Sequence, residues 1–261
     1  MLEQISSCSR ACLLCLWVGG ATVAQGAEPV YQERPLSQWL ILYDKANEGS
    51  PEEAQASAAV RAVGSNAVPY LLKWMADNES ALQLPAADAF KILKTNAAGA
   101  VPELASMLTG TNQLTATLAG SALGHIGAPA LPVLLTGLTH RRFRVGVDAG
   151  QALVELGTNA RPAIPILLRD LEHPNHFYRE RAANILGQLH LEPATVVPAL
   201  TSALDDESGA ARFLAISGLA NFGTNAQSAV PALARFLTNV DSGVRRTTTN
   251  ALRQISRASG F

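Results

Sequence analysis

Residues 223–237 read GTNAQSAVPALARFL, and two earlier stretches say nearly the same: GTNARPAIPILLRDL at 157–171 and KTNAAGAVPELASML at 94–108. Each phrase places a proline before a short apolar run. Counted along the chain these prolines are Pro69, Pro102, Pro132, Pro165, Pro198 and Pro231, spaced 33, 30, 33, 33 and 33 residues apart. Two residues beyond stand Leu71, Leu104, Leu134, Leu167, Leu200 and Leu233; six beyond stand Met75, Leu108, Leu138, Leu171, Leu204 and Leu237. A period of this length marks a repeat architecture, in which each unit buries its apolar face only by stacking on its neighbours.

Each column has a physical reason. Proline is tolerated in the first turn of a helix, where its missing N–H had no partner to lose. Positions +2 and +6 from the proline are four apart and share one helix face. Upstream of each phrase runs a second helical pattern of small and large apolar residues, such as AADAFKIL, AGSALGHIG and AGQALVELG. Gly64, Gly127, Gly157 and Gly223 follow these runs, where a helix C-terminus calls for a residue in the left-handed region; Lys94 and His190 hold that column in two other repeats. The phrase is therefore the elbow of a helical hairpin, written once per repeat. The interval of 30 residues comes from a shortened elbow, GAPALP at 127–132. The expected structure is all-α: a right-handed α-solenoid with a lead-in helix over about 37–47, six hairpins, and a closing helix over about 244–258.

The period alone also suits ankyrin or tetratricopeptide arrays, but their signature phrases are absent. On RERAANILGQL (179–189), VRRTTTNALRQI (244–255) and the AVPAL helices, the chain resembles HEAT repeats in their short, phycobilisome-lyase-type form, over about residues 50–258. That resemblance implies a concave face lined by the second helix of each hairpin. It implies a structural role for the arginine column Arg179, Arg212 and Arg245, pairing with acidic or carbonyl groups of adjacent repeats. It does not carry lyase activity, because function resides in sites and not in the fold.

The bulk composition agrees with packed helices: 48% hydrophobic but only 5% aromatic. A net charge of −1 gives no general attraction to nucleic acid or anionic membranes. Cys8, Cys12 and Cys15 all lie near the start, around an apolar run from Ala11 to about Val18. This reads as an export leader, with Ala24 and Gly26 at −3 and −1 for cleavage before Ala27. Cys8 precedes the apolar run, whereas a lipid-bearing cysteine would follow it, so simple export is the expectation. Residues 1–26 are then the leader, 27–49 a linker and capping helix, and 50–261 the solenoid, with no cysteine and no membrane span in the mature chain.

Candidate chemistry is sparse. His140 and His173 are one period apart, and HPNH at 173–176 offers a pair at a spacing a metal can use, but no third ligand type converges. Asp148 and Glu155, seven apart on one helix, read as a solvated face. HRRFR at 140–144 is the densest basic cluster, with Arg142 expected to be exposed. No nucleophile–base pair, phosphate loop or paired carboxylates at catalytic spacing occur, so no enzyme activity, cofactor or metal is assigned.

The expected site is the concave face, at positions +1, +4 and +5, which point away from the leucine face. These are Tyr70, Lys73 and Trp74, then Glu103 and Met107, Arg169 and Asp170, and Arg235 and Phe236. Aromatic residues, Met and Arg are types enriched where proteins meet proteins. The expected function is an exported, monomeric, non-catalytic scaffold for a protein or peptide partner. The alternative is an accessory subunit or chaperone-like factor of an exported enzyme system; a metal-dependent enzyme ranks third.

Overall fold

The computed structural model describes residues 27–257. The expected leader and the three cysteines lie outside the described residues. A short hairpin, β1 (Val30–Tyr31) and β2 (Arg34–Pro35), opens the chain and was not expected. It folds over α1 (Leu36–Lys45), where the Glu28 carboxylate accepts the Ser37 N–H and hydroxyl, both at 2.8 Å. The Trp39 indole N–H donates to the Tyr31 carbonyl at 3.1 Å. A small satellite core of Trp39, Ala56 and Ala59 forms beneath this lead-in unit.

Six hairpins follow among the described residues. Their first helices are α2 (Pro51–Val63), α4 (Gln83–Leu93), α6 (Gln113–Ile126), α8 (Phe143–Leu156), α10 (His176–Leu189) and α12 (Gly209–Asn221). The second helices interleave as α3 (Val68–Ala76), α5 (Val101–Leu108), α7 (Leu131–Leu138), α9 (Ile164–Asp170), α11 (Pro193–Ser202) and α13 (Val230–Ala234). The closing helix α14 spans Ser242–Arg257. The architecture is an α-solenoid whose core runs the length of the array as one continuous apolar cluster.

The repeat columns explain the packing. All six +2 leucines are fully buried. The prolines sit in the first turn of α3, α5, α7, α9 and α13; Pro198 is the exception, inside α11, because that helix starts early at Pro193. At +6, Met75, Leu108, Leu138 and Leu204 are buried, but Leu171 is only half-buried and Leu237 is 41% exposed. The last repeat departs because α13 stops after five residues and continues as a 3-10 segment, Arg235–Thr238. Phe236, at +5, is buried at 9% exposure, as Gly137 and Asp170 are at the same position, so it packs between neighbouring second helices and does not stand free on the open face.

The elbows hold a second correction. Gly64, Gly127 and Gly157 have φ of 61°, 88° and 57° with ψ of −140°, −144° and −125°, which is a mirror-image extended conformation and not the left-handed helix. His190, at φ 39° and ψ 37°, takes the left-handed form, as does Glu192 two residues on. Lys94 adopts the glycine conformation, φ 50° and ψ −131°. A side chain there is strained, by roughly 1–3 kcal/mol for such sparsely populated regions. Lys94→Gly is expected to raise stability by about 1 kcal/mol, after the extra chain entropy glycine loses on folding. A urea melt would show a higher midpoint at unchanged slope; an unchanged or lower midpoint would refute the strain.

Candidate partner-binding grooves

The second helices form one face of the array, and grooves run between successive members. Between α5 and α7 lies a groove of about 290 Å³, walled by Ala105, Leu108 and Thr109 on one side and Val133, Thr136, Gly137 and His140 on the other. Between α9 and α11 a groove of about 460 Å³ is walled by Leu168, Leu171 and Glu172, facing Ala199, Ser202, Asp205 and Asp206. Between α11 and α13 a third, of about 400 Å³, joins Leu204, Asp205 and Asp206 to Arg235, Phe236 and Asn239. Measured from each repeat's proline, the positions coincide. One helix contributes +6 and +7, and the next contributes +4, +5 and +8.

The expected site residues divide accordingly. Lys73, Glu103, Arg169 and Arg235 are exposed. Tyr70, Trp74 and Met107 are half-buried and pack against the core. Tyr70 and Trp74 pack as a tilted pair at 6.2 Å, and the Tyr70 hydroxyl donates to the Ala27 carbonyl at 3.0 Å. Asp170 is not on the open face: it is buried and paired with Arg181. Arg235 closes the third groove, its guanidinium 2.7 Å from Asp205 Oδ1. Of the expected residues, Arg235 and Phe236 line one of these three grooves, whereas Tyr70, Lys73, Trp74, Glu103, Met107 and Arg169 line none of them. Residue spacing missed +7 and +8, which leave the helix and acquire their position only from the neighbouring unit.

Position +8 carries His140 and His173, and the structure gives them a structural task. His140 Nδ1 accepts the Arg142 N–H and His173 Nδ1 accepts the Asn175 N–H, each at 3.1 Å. In the same column Asp77, Asp206 and Asn239 accept the N–H two residues on in the same way. Imidazole here replaces a carboxylate or amide as the acceptor that tightens the loop. Among the described residues no three of His, Cys, Asp and Glu come together as a metal site.

The arginine column completes these loops. Arg179, Arg212 and Arg245 each donate through Nη1 to the carbonyls at +8 and +9 of their own loop, at 2.6–3.2 Å. Arg179 also reaches the next repeat, bonding both Asp206 oxygens at 2.6 and 2.8 Å. This is the pairing between adjacent repeats that the sequence suggested, in the bidentate geometry that suits guanidinium. Arg142 is exposed as expected, yet it donates to the Thr109 and Gly110 carbonyls of the preceding repeat, which has alanine at Ala116 in the arginine column.

Hydrogen bonds from Arg179 hold the Asp206 carboxyl below the usual aspartate range, against the opposing effect of partial burial. A depressed folded-state pKa contributes stability that is present above the unfolded value of about 4 and lost as pH falls through the folded value. Asp206→Asn is therefore expected to lower the melting temperature at neutral pH and to flatten its decline in acid. Parallel melting curves of the two proteins from about pH 6 to pH 2 would contradict this assignment.

Asp148 is corrected from a solvated face to a buried interface; Glu155 is exposed as expected but still pairs with the neighbouring helix. Asp148 is 6% exposed and accepts from Thr117 and Arg144, both at 3.2 Å; Glu155 meets His125 Nδ1 at 3.0 Å. Both bridge α8 to α6, because seven residues is two helical turns and both side chains face the previous first helix.

A family model of HEAT repeats matches residues 164–253. No curated protein matches the sequence. Among solved structures, Kap121p is similar with a TM-score of 0.59 and 14% identity, over 80% of this chain and 28% of that one. The complex of CpcE and CpcF of phycocyanin lyase from Nostoc sp. PCC7120 is similar at 0.52 and 24% identity, over 59% of this chain and 98% of that one. At these identities the likeness speaks to the fold.

Proposed function

We propose that this HEAT-like repeat protein is a non-catalytic, monomeric scaffold that holds an extended protein or peptide segment in the grooves between its second helices. It would act outside the cytoplasm once residues 1–26 are removed. The observation that carries the reading is the recurrence of the groove in one register, with a graded lining. The α5/α7 groove is walled mainly by apolar groups, with His140 at its edge. The α9/α11 groove presents Glu172 and the acidic pair Asp205 and Asp206. Asp205 and Asp206 already hold arginines, so Glu172 is the acid there with no ion pair among the described residues.

The fitting partner follows from that gradient. Successive layers stand about 8–10 Å apart, so the two grooves lie roughly 20 Å apart. An extended chain covers that in about six residues at 3.3–3.6 Å each. The partner segment therefore carries an apolar side chain and, about six residues away, a lysine or arginine. Exposed Lys73, Glu103 and Arg169, with half-buried Met107, flank its path.

A peptide selected from a random library against residues 27–261 supplies the test. Thr136→Arg, which fills the apolar groove, and Glu172→Lys, which reverses the acid, are each expected to weaken binding about tenfold or more, or 1.4 kcal/mol. Both positions are exposed, so melting should not change. Selected peptides that bind both variants as tightly as the parent would reject the groove.

A further inference from the structure

A pocket of about 360 Å³ lies among the first helices and shares no residue with the grooves. It is lined by Tyr43 of α1, by Glu53, Ser57 and Arg61 of α2, and by Lys91, Ile92 and Lys94 at the end of α4. Three cations thus face one carboxylate. That carboxylate is engaged: Glu53 Oε2 accepts the Gly49 N–H at 2.5 Å, closing the turn before α2. The cations are not. Arg61, Lys91 and Lys94 are exposed and form no ion pair among the described residues.

Two further observations point to a ligand. Ser57 is 7% exposed, lines the pocket, and makes no side-chain hydrogen bond among the described residues. Thr117, Thr136 and Thr201 turn their hydroxyls back onto the carbonyl four residues earlier, whereas Ser57 does not; its Oγ is not sealed from solvent, as Arg181 Nε and Nη1 are, and stands open to a ligand in the pocket. The second observation is Lys94. Its backbone takes the conformation that glycine occupies in the corresponding elbows at Gly64, Gly127 and Gly157, so a lysine is held there against its own preference. Favourable helix-dipole placement accounts for Arg61 and Lys91 in the last turns of their helices. It accounts for neither the strained Lys94 nor the unpaired Ser57.

We infer that this pocket binds a phosphomonoester group. Arg61, Lys91 and Lys94 supply the charge, and the Ser57 and Tyr43 hydroxyls supply two more donors. A phosphate ester carries close to two negative charges and three strong acceptor oxygens, which matches the donor set better than a single carboxylate does. The volume leaves room for a small organic body beside the phosphate. Burial raises the Tyr43 pKa, so its hydroxyl keeps its proton to donate. Asp88 couples to Lys91 from the same helix, and burial raises its carboxyl pKa as well, so it holds a proton more readily than an exposed aspartate.

Calorimetry at constant ionic strength tests the pocket with three probes: glycerol 3-phosphate, a phosphoserine pentapeptide, and glycerol as the uncharged control. At least one phosphate-bearing probe should bind, and the tighter of the two tells whether the group comes from a small metabolite or a modified side chain. Arg61→Gln with Lys91→Gln should weaken that binding at least tenfold, and Arg253→Gln on the exposed face of α14 should not. Lys94→Gly should melt higher than the parent yet bind the probe less tightly, a combination that a purely structural role does not produce. No binding by either phosphate probe, equal binding by the double variant, an equal loss in Arg253→Gln, or full binding by Lys94→Gly would each overturn the assignment.

Discussion

Asp170→Ala is expected to destabilise the array by about 3–5 kcal/mol, the range for stripping one partner from a buried ion pair. Asp170 closes α9 at 5% exposure, and Arg181 on α10 is 6% exposed. Arg181 Nη2 donates to Asp170 Oδ2, and the guanidinium lies over the Tyr178 and Phe143 rings at 4.8 and 5.4 Å. Without the carboxylate, a guanidinium remains buried with no counter-charge. Its Nε and Nη1 already have no partner among the described residues, so little is left to compensate. Space is equally constrained: a methyl group at Gly146 would fall 2.1 Å from Arg181 Nη1. Replacing both partners, Asp170→Leu with Arg181→Met, should recover much of the loss, because two apolar groups carry no desolvation penalty. Arg169→Ala is the control; its side chain is 70% exposed and lies 3.7 Å from the same carboxylate. It should cost less than about 0.5 kcal/mol. Urea melts that rank Asp170→Ala with Arg169→Ala would show that the pair adds little to stability.

Leu167→Ala is expected to cost about 2–5 kcal/mol, as fully buried leucines do when truncated. Leu167 is 0% exposed in the middle of the array, between units that cannot collapse inward without moving the next repeat. The informative comparison is Leu237→Ala. By sequence, Leu237 belongs to a core column, but the 3-10 turn leaves it 41% exposed, and its loss should cost less than about 1 kcal/mol. A cost at Leu237 equal to that at Leu167 would restore the regular helix that the sequence suggested.

These residues also show where reading the chain succeeds and where it stops. The period, the six hairpins between two capping helices, the buried +2 leucines and the arginine column all follow from the sequence. Each depends on one helix's own geometry, repeated often enough to be counted. The arginine column was legible because three copies share one offset. Arg181, two residues from Arg179, carries a buried pair but has no copy to expose it.

What the neighbouring unit supplies could not be read in advance. Asp148 and Asp170 read as surface acids because helical spacing says which residues share a face, and not what that face meets. His140 and His173 read as loop histidines, but only the structure shows what each does there, its ring accepting an N–H in the place of aspartate or asparagine. The +7 and +8 groove walls, and the Ser57–Lys94 pocket built from three helices, exist only where separate segments converge. Local periodicity determined the elements and their order; burial, pairing and the shape of every site were decided by contacts between separate elements, from eleven positions apart for Asp170 and Arg181 to 27 for Arg179 and Asp206.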